Sequence, residues 1–558
     1  MIRRLLKKLP YILWILPGFL LWASFPPMGE KLDCFFALAP ILWFARRNGA
    51  RRSFWTWYAN GFFFWFATLS WMPAIIKNGG PWFLVLLGWG ALAAYCALYF
   101  GAFGWLSSRV WSWTRERGYG WRLFALVVAE PVLWAGLELV RSRLFGGFSW
   151  NPVGLAPINS GLGAPAALGG VYLVSIVVIL VNGTLASIAE RMLEPFEGRL
   201  ASLFGAKRQV PESSPCEDCV SSIPKWARSV ETLVPFLLIL GLYQLAKPVV
   251  SQEEGEIPVR FGLMQRNFPA VFQGGEDCRP AYLQMIKNLM RTRPDVLVLP
   301  ESAFCEVASV DSPRADRFVE SWLSPLRPSA VVAGGAREDS DSRLYNSAAV
   351  YTLFGTNVVD RQVYDKVHLV PFGEFIPGDK LIPALQQLAP VGSCTPGELK
   401  LLSTSVDGEI VRMAPAICYE DTDSAQIREQ AAMGAQVLVF ITNDNWFALS
   451  VEPEQHAWQA VARAVETGLP VVRTANSGVT GFVLPDGEHK WLLGADGRPL
   501  TDATGTLCAT INLSASPRLT PYVRIGDWPL GLAFLLLITA MGVIKYRHDY
   551  EKRRTVSL

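Results

Sequence analysis

The sequence predicts a multi-pass α-helical membrane domain joined to an extracytoplasmic α/β domain. Three observations predict it. The 558 residues are 51% hydrophobic and only 18% charged, with 21 Trp and 31 Phe, whereas soluble domains carry about 25% charge. The apolar surplus sits in roughly the first 250 residues and in one late segment. Between the two, short apolar runs alternate with helical patterns, which marks an α/β unit. The same composition excludes other classes. Charge is too scarce for a disordered chain, and nine Cys are too few for a disulfide scaffold. A net charge of +3 gives no footprint for nucleic acid.

A bilayer core takes about 20 mostly apolar residues per helix. That criterion predicts spans near 11–25, 33–45, 53–75, 82–106, 122–140, 168–189 and 231–247, with an eighth near 527–544. The first two are short enough for a tight hairpin. Seven apolar segments in succession are too many for a soluble core. The first ends at Ser24-Phe25-Pro26-Pro27 rather than at a small-residue cleavage site. Loop charge sets the orientation. Segments 1–10, 46–52 and 107–122 hold four basic residues each. Segment 190–230 adds Arg191, Arg199, Lys207, Arg208, Lys225 and Arg228, and the tail adds Lys545, Arg547, Lys552, Arg553 and Arg554. The intervening short loops hold only Lys31, Lys77, Arg141 and Arg143. By the positive-inside rule both termini lie in the cytoplasm, and 250–525 lies beyond the inner membrane of a diderm bacterium. The expected domains are a membrane domain at 1–249 with a cytoplasmic insert at 194–228, a catalytic domain at 250–525, and a last helix and tail at 526–558.

Within 250–525, runs at 259–264, 296–299, 330–333, 348–353, 437–442 and 471–474 read as strands, and 280–293, 423–434 and 456–468 read as helices. A domain of about 275 residues buries a core of its own. The insert carries Cys216-Glu-Asp-Cys219, a spacing that can be a redox motif or half a zinc site. With no βαβ unit around it and no second pair or His nearby, it reads as incidental. His368, His456, His489 and His548 are scattered and predict no metal site. Cys278, Cys305, Cys394 and Cys508 lie outside, where a disulfide can form, but sequence does not pair them.

The reactive residues fall at three strand ends or in the loops after them, where α/β folds place their sites. Glu301, in Val-Leu-Pro-Glu-Ser at 298–302, follows a buried apolar run. Desolvation there raises a carboxyl pKa and suits it to general-base work. Lys366 lies in Tyr-Asp-Lys-Val-His-Leu-Val-Pro-Phe-Gly-Glu at 364–374, a run whose Pro, Gly and aromatics suggest a fixed loop. An ammonium group there could stabilise an oxyanion. Cys418, in Ala-Ile-Cys-Tyr-Glu at 416–420, stands between a strand and a helical run. A helix N-terminus and a nearby Lys both favour the thiolate. Taken singly, the three are also ordinary features: a surface Glu, a solvated turn Lys and a buried core Cys.

Taken together, these motifs resemble the Glu–Lys–Cys triad of the nitrilase superfamily, in the same order and at similar spacing. Asn346, in Tyr-Asn-Ser at 345–347, and Asn-Asp-Asn-Trp-Phe at 443–447 fit as well. Held between a seventh and an eighth span, the domain resembles the membrane-embedded branch of that superfamily, the apolipoprotein N-acyltransferase family of bacterial inner membranes. The resemblance covers essentially the whole chain. It is strong over 258–525 and architectural in the membrane part. The loop Gly-Gly-Phe-Ser-Trp-Asn-Pro at 146–152 is similar to that family's loop after the fifth span, with Ser149 where Pro is usual.

The resemblance implies a nitrilase-like αββα sandwich and a two-step acyl transfer with no cofactor or metal. Cys418 would take an acyl chain from the sn-1 position of a phospholipid, phosphatidylethanolamine, as a thioester. The acceptor would be the amine of the diacylglyceryl-cysteine of an apolipoprotein. Glu301 would be the base, with Lys366 and the Tyr419 N–H as oxyanion donors. Glu374, Tyr419 and Glu420 would position these groups. Trp446 and Phe447 would sit on a mobile lid, Trp150 and Asn346 would contact substrate, and loop 142–165 would admit acyl chains laterally. Two departures stand out: Ala448 replaces the Gly after the Trp-Phe pair, and Gln273-Gly274 replaces a Lys-Trp pair. One rival is a membrane-tethered amidase that hydrolyses a C–N bond. Another is a non-catalytic scaffold or transporter, for which Glu130 and Glu138 would be the intramembrane charges, although no repeat is evident.

Overall fold

The structure, a computed structural model, describes residues 14–115, 117–193, 225–250, 256–269, 278–304, 309–378 and 393–556. Most of the expected insert lies outside the described residues, as do Cys216, Cys219, Gln273, Gly274 and Cys305. Cys278 is disulfide-bonded, while Cys394 and Cys508 are free.

Six helices among the described residues are long and apolar enough to cross a membrane. The first two expected spans are shorter. α1 (Leu16–Ala23) and α2 (Ala39–Arg47) have 8 and 9 residues. At about 1.5 Å per residue, neither crosses a core of about 30 Å. They form a hairpin against the bundle, and their N-terminal ends are closed by neighbours. Asn60 accepts from the Gly18 N–H at 2.9 Å and Asn182 accepts from the Leu38 N–H at 2.8 Å. The long helices are α3 (Ala50–Thr68), α4 (Trp82–Arg115), α5 (Tyr119–Arg141), α6 (Ala166–Leu193), α7 (Lys225–Val250) and a final one, Trp528–Val556. Both acids of α5 are engaged within the bundle. Glu130 pairs with Arg46 at 2.5 Å and accepts from Ser107, while Glu138 accepts from Trp134 Nε1 and the Val153 N–H. They are structural, so the transporter reading loses its signature.

The α/β domain is built on two six-stranded sheets. The first runs β12 (Gly505–Leu513), β1 (Ile257–Gln265), β2 (Val296–Val298), β3 (Ala330–Glu338), β4 (Leu344–Phe354), β5 (Asn357–Asp365). The second runs β11 (His489–Trp491), β10 (Gly481–Val483), β9 (Val471–Asn476), β8 (Val437–Asn443), β7 (Glu409–Ile417), β6 (Leu402–Val406). In each, three parallel strands (β1–β2–β3 and β7–β8–β9) are extended by antiparallel neighbours. The sheets pack face to face through Val259, Phe261, Val298 and Val332 on one side and Val411, Met413, Val439 and Ile441 on the other. Outside the first sheet lies α8 (Arg279–Leu289), whose Tyr282, Met285 and Leu289 pack with Leu297 and Val331. Outside the second lie α9 (Ser424–Ala432) and α10 (Glu452–Thr467), which set Ile427, Ala431, Ala460, Val461 and Ala464 against Ala414, Leu438 and Phe440. This is the expected αββα layering. The outer cluster of the second sheet continues into the membrane bundle at Phe25, Trp57, Trp71 and Ala167.

α10 is the seam between the two domains. Gln455 donates to the carbonyls of Pro26 and Thr68, at 3.2 and 3.3 Å, and accepts from Trp150 Nε1 and Asn151 Nδ2. A second joint lies at the start of α6, where Gly169 and Gly170 (φ +71°) leave the helical path. A side chain at 170 would lie 2.6 Å from the Tyr522 ring. Past the break, the Val171 N–H donates to Glu466 of α10 at 2.7 Å, so a catalytic-domain carboxylate caps a membrane helix.

Candidate active site

Glu301 lies in the loop after β2, pressed against β3. Ala303 N–H bonds the Gly334 carbonyl at 2.8 Å, and the Gly334 N–H bonds that of Pro300 at 3.2 Å. A Cβ on Gly334 would sit 2.7 Å from Glu301 Cα, so only glycine allows this approach. Glu301 is buried. Its Oε1 accepts from Asn346 Nδ2 at 2.6 Å, and its Oε2 is buried with no hydrogen-bond partner among the described residues. Burial pushes its pKa up; Glu374 adds to this, while Lys366 and Asn346 oppose it. The upward shift expected of a carboxyl after a buried run is therefore present.

Lys366 is the first residue past β5, and its N–H bonds the Asn346 carbonyl at 2.8 Å. Its Nζ lies 2.9–3.0 Å from the Glu374 carboxylate. Burial works against the ammonium charge, but Glu374, Cys418 and Glu301 outweigh it and raise the pKa. Burial likewise opposes ionisation of Glu374, and Lys366, Asn346 and the Val370 N–H reverse that, holding its pKa low. Asn346 donates to both Glu301 and Glu374 at 2.6 Å. Its Nδ2 holds the two carboxylates in line.

Cys418 follows β7 with φ +54°, a left-handed conformation that costs a non-glycine residue energy and recurs at functional sites. It opens the single turn Cys418–Thr422 and is partly exposed. Its thiol pKa is pushed well up, first by burial and then by Glu301 and Asp444, against Lys366 and a hydrogen bond with Thr442. This shift runs against the thiolate-favouring effects of a helix end and a nearby Lys. The thiol keeps its proton and needs a base. Glu420 ties the lysine loop to this turn. Its Oε1 accepts from Tyr364 Oη, Val367 N–H and His368 N–H at 2.8, 2.7 and 3.1 Å, and its Oε2 accepts from the Ile417 N–H at 2.8 Å.

The membrane loop reaches the same turn. Tyr419 stacks on Trp150 with ring centroids 6.4 Å apart and planes 6° apart. Trp150 itself is buried, with its N–H on Gln455. It braces the seam from behind Tyr419. Trp446 and Phe447 lie in the turn Asp444–Phe447. Asn78 Nδ2 donates to the Trp446 carbonyl at 3.0 Å, and Phe447 meets Trp71 edge-on at 4.7 Å. The expected lid is here fastened to the membrane domain.

Sequence reasoning missed a buried ionic cluster behind Cys418. His456 Nε2 lies 2.9 Å from Asp421 and its Nδ1 lies 2.9 Å from Asp444, while Arg473 reaches Asp421 at 2.6 Å and Asp444 at 3.2 Å. Burial disfavours the His456 charge, but Asp421 and Asp444 outweigh it and raise the pKa to about 10. Burial, then Asp444, pushes Glu452 well up. Asp444, Glu452 and His456 place one ligand atom each within 4.8 Å of one another, close enough for a metal ion. In this arrangement His456 and Arg473 face Asp421 and Asp444, and Glu452 lies beside them. The available signal was Arg473, a cation directly after two valines in a strand buried throughout.

Residues 17–184 match the family described as apolipoprotein N-acyltransferase N-terminal domain, and residues 280–516 match carbon-nitrogen hydrolase. An apolipoprotein N-acyltransferase of Geobacter metallireducens is 30% identical over 485 residues, covering 85% of each chain. One from Vibrio vulnificus is 26% identical over 555 residues, covering 96% of each. A solved structure of an amidase from Neterenkonia sp. AN1 is 19% identical, covers 49% of this chain and 98% of its own, and has a TM-score of 0.33, a likeness too weak to build on. Matched in both its membrane and its catalytic half, this bacterial membrane protein belongs to the apolipoprotein N-acyltransferase family.

Proposed function

We propose that the protein moves an acyl chain from a phospholipid to the N-terminal amine of an apolipoprotein's diacylglyceryl-cysteine, through a thioester on Cys418. Glu301 Oε2 takes the thiol proton as sulfur attacks the sn-1 ester carbonyl of the donor, phosphatidylethanolamine. The oxyanion is met by Lys366 Nζ and the Tyr419 N–H. Collapse breaks the ester C–O bond, and Glu301 returns the proton to the departing lysophospholipid. The acceptor amine then attacks the thioester, its proton passing to Glu301. The C–S bond breaks, the amide forms and the thiol is restored.

One observation carries this reading. One Glu301 oxygen is pinned by Asn346 while the other is buried without a partner, beside a thiol that is protonated at rest. Such a pair supports proton transfer coupled to attack. Glu374, Glu420 and Tyr419 act as positioning residues, and Trp446 and Phe447 wall the approach. Both lipid substrates reach the site where loop 142–165 and the segment around Asn78 meet the catalytic domain. The loop charges support cytoplasmic termini and a periplasmic catalytic domain.

The test is incubation of the purified protein with acyl-labelled phosphatidylethanolamine, followed by a diacylglyceryl-cysteine peptide. A labelled thioester at Cys418 that chases into the peptide is expected. If the label goes only to water, the hydrolase reading replaces this one.

A further inference from the structure

At the end of the bundle away from the catalytic domain, a cavity of about 940 Å³ opens between the α2–α3 turn and α4. The opposite end of α4 is fixed by Asn78, which bonds the catalytic turn just before the helix begins. At about 1.5 Å per residue, Trp105 and Arg109 lie roughly 35–40 Å further along. The cavity thus occupies the other face of the membrane.

Arg46, Arg47, Arg51, Arg52 and Arg109 line it, and among the described residues no acidic one does. Arg46 is committed to Glu130 and Arg47 to Glu190. Arg51, Arg52 and Arg109 are exposed, and no ion pair joins them to a carboxylate among the described residues. Trp55 and Trp105, both exposed, share the lining, and Arg109 lies 5.4 Å over the Trp105 ring. α3 also starts here, after Gly49, with no side-chain cap. Its first N–H groups and positive dipole end add to the field. The floor is fixed, because Ser108 donates to the Asn48 carbonyl at 2.6 Å above the buried Arg46–Glu130 pair.

A general excess of basic residues satisfies the positive-inside rule without any cavity. Here three uncompensated guanidiniums converge on one concave surface, beside indole rings suited to headgroup depth. Like charges held this close favour an anion between them. Guanidinium forks match phosphate oxygens, and basic pockets between membrane helices suit acidic headgroups. The volume falls in the range of ligand pockets, about 300–1,000 Å³. We propose that this cavity binds the phosphate of an anionic phospholipid from the leaflet opposite the catalytic domain. The inference is independent of the acyl-transfer reading.

Native mass spectrometry of the full-length protein tests it, with phosphatidylglycerol, phosphatidylethanolamine and inorganic phosphate as probes. The protein should retain phosphatidylglycerol over phosphatidylethanolamine. An Arg51→Gln/Arg52→Gln/Arg109→Gln variant should lose affinity on the order of 100-fold while still forming the Cys418 thioester, which reports an intact fold. If that variant forms no thioester, Arg109→Gln alone is read instead, with about a fivefold loss expected. Equal phosphatidylglycerol retention by variant and parent overturns the proposal. So does displacement of the lipid by equimolar inorganic phosphate, which would make a free anion the ligand.

Discussion

The two flanks of the catalytic sandwich share a layering and differ in surroundings. Over the sheet that bears Glu301 and Lys366, α8 closes its own apolar cluster and leaves Leu283 59% exposed. Over the sheet that bears Cys418, α10 has no outer side, since 14 of its 16 residues are buried. A helix flanking a soluble sandwich keeps a polar face for water. The polar residues of α10 instead meet the membrane domain, through Gln455 and Glu466, and the ionic cluster, through His456. The bundle therefore serves as a fifth layer for the nucleophile's half alone. Glu301 and Lys366 are aligned to Cys418 through the sheets and through side chains such as Asn346, Glu420 and His368.

The largest effect expected is at the nucleophile. Cys418→Ser should lower thioacyl adduct on the order of 10³-fold or more while membrane insertion and folding persist, as read by mass spectrometry of lipid-treated protein. Glu301→Gln on the other half should slow adduct formation by on the order of 10²–10⁴. Because burial raises the Glu301 pKa, the parent's rate should fall with decreasing pH already above the ordinary carboxylate range. A rate that holds down to that range would deny Glu301 the role of base.

The seam should then outweigh the free flank. Gln455→Ala leaves Trp150 Nε1 and the Pro26 and Thr68 carbonyls without their partner, a cost of about 2–3 kcal/mol, seen as a lower unfolding temperature in detergent. Gln284→Ala on α8, whose side chain bonds only exposed Asn288, should stay within about 0.5 kcal/mol. Equal losses would erase the contrast between flanks. His456 gives a subtler discrimination. Its raised pKa stabilises the fold fully below the ordinary histidine value of about 6.5, and that contribution disappears as pH climbs through about 10. Unfolding temperature should therefore decline over that alkaline window, and His456→Gln should flatten the decline.

The triad was legible because each member sits in a local motif whose meaning survives without its partners. The six strands read from the sequence are all present, since continuous apolar runs mark strands buried on both faces. β5 and β6 escaped notice because they lie at sheet edges, where polar residues break the run, and β12 because its partner β1 is far away in the chain. Asn346 was placed near the site, but its alignment of two carboxylates was not read, because sequence order does not reveal that Glu301 and Glu374 both approach it. His456 was unreadable for the same reason, and Arg473 signalled a buried cation without naming its partners. Their charges make sense only once Asp421 and Asp444 arrive from other elements. The first two spans were overestimated in length because hydropathy counts apolar residues and is blind to the turn between them.

The break at Gly169–Gly170 has a consequence for how the chain matures. Val171 is capped by a carboxylate 295 residues further on. Synthesis runs from the N-terminus, so α6 is made and inserted long before Glu466 exists. Until then the Val171 N–H lacks the carboxylate that caps it in the folded protein. Docking of α10 supplies that cap. The membrane half thus reaches its final form only once α10 of the catalytic half has been made and has docked against it. The two domains are separable on paper but assemble as one cooperative unit.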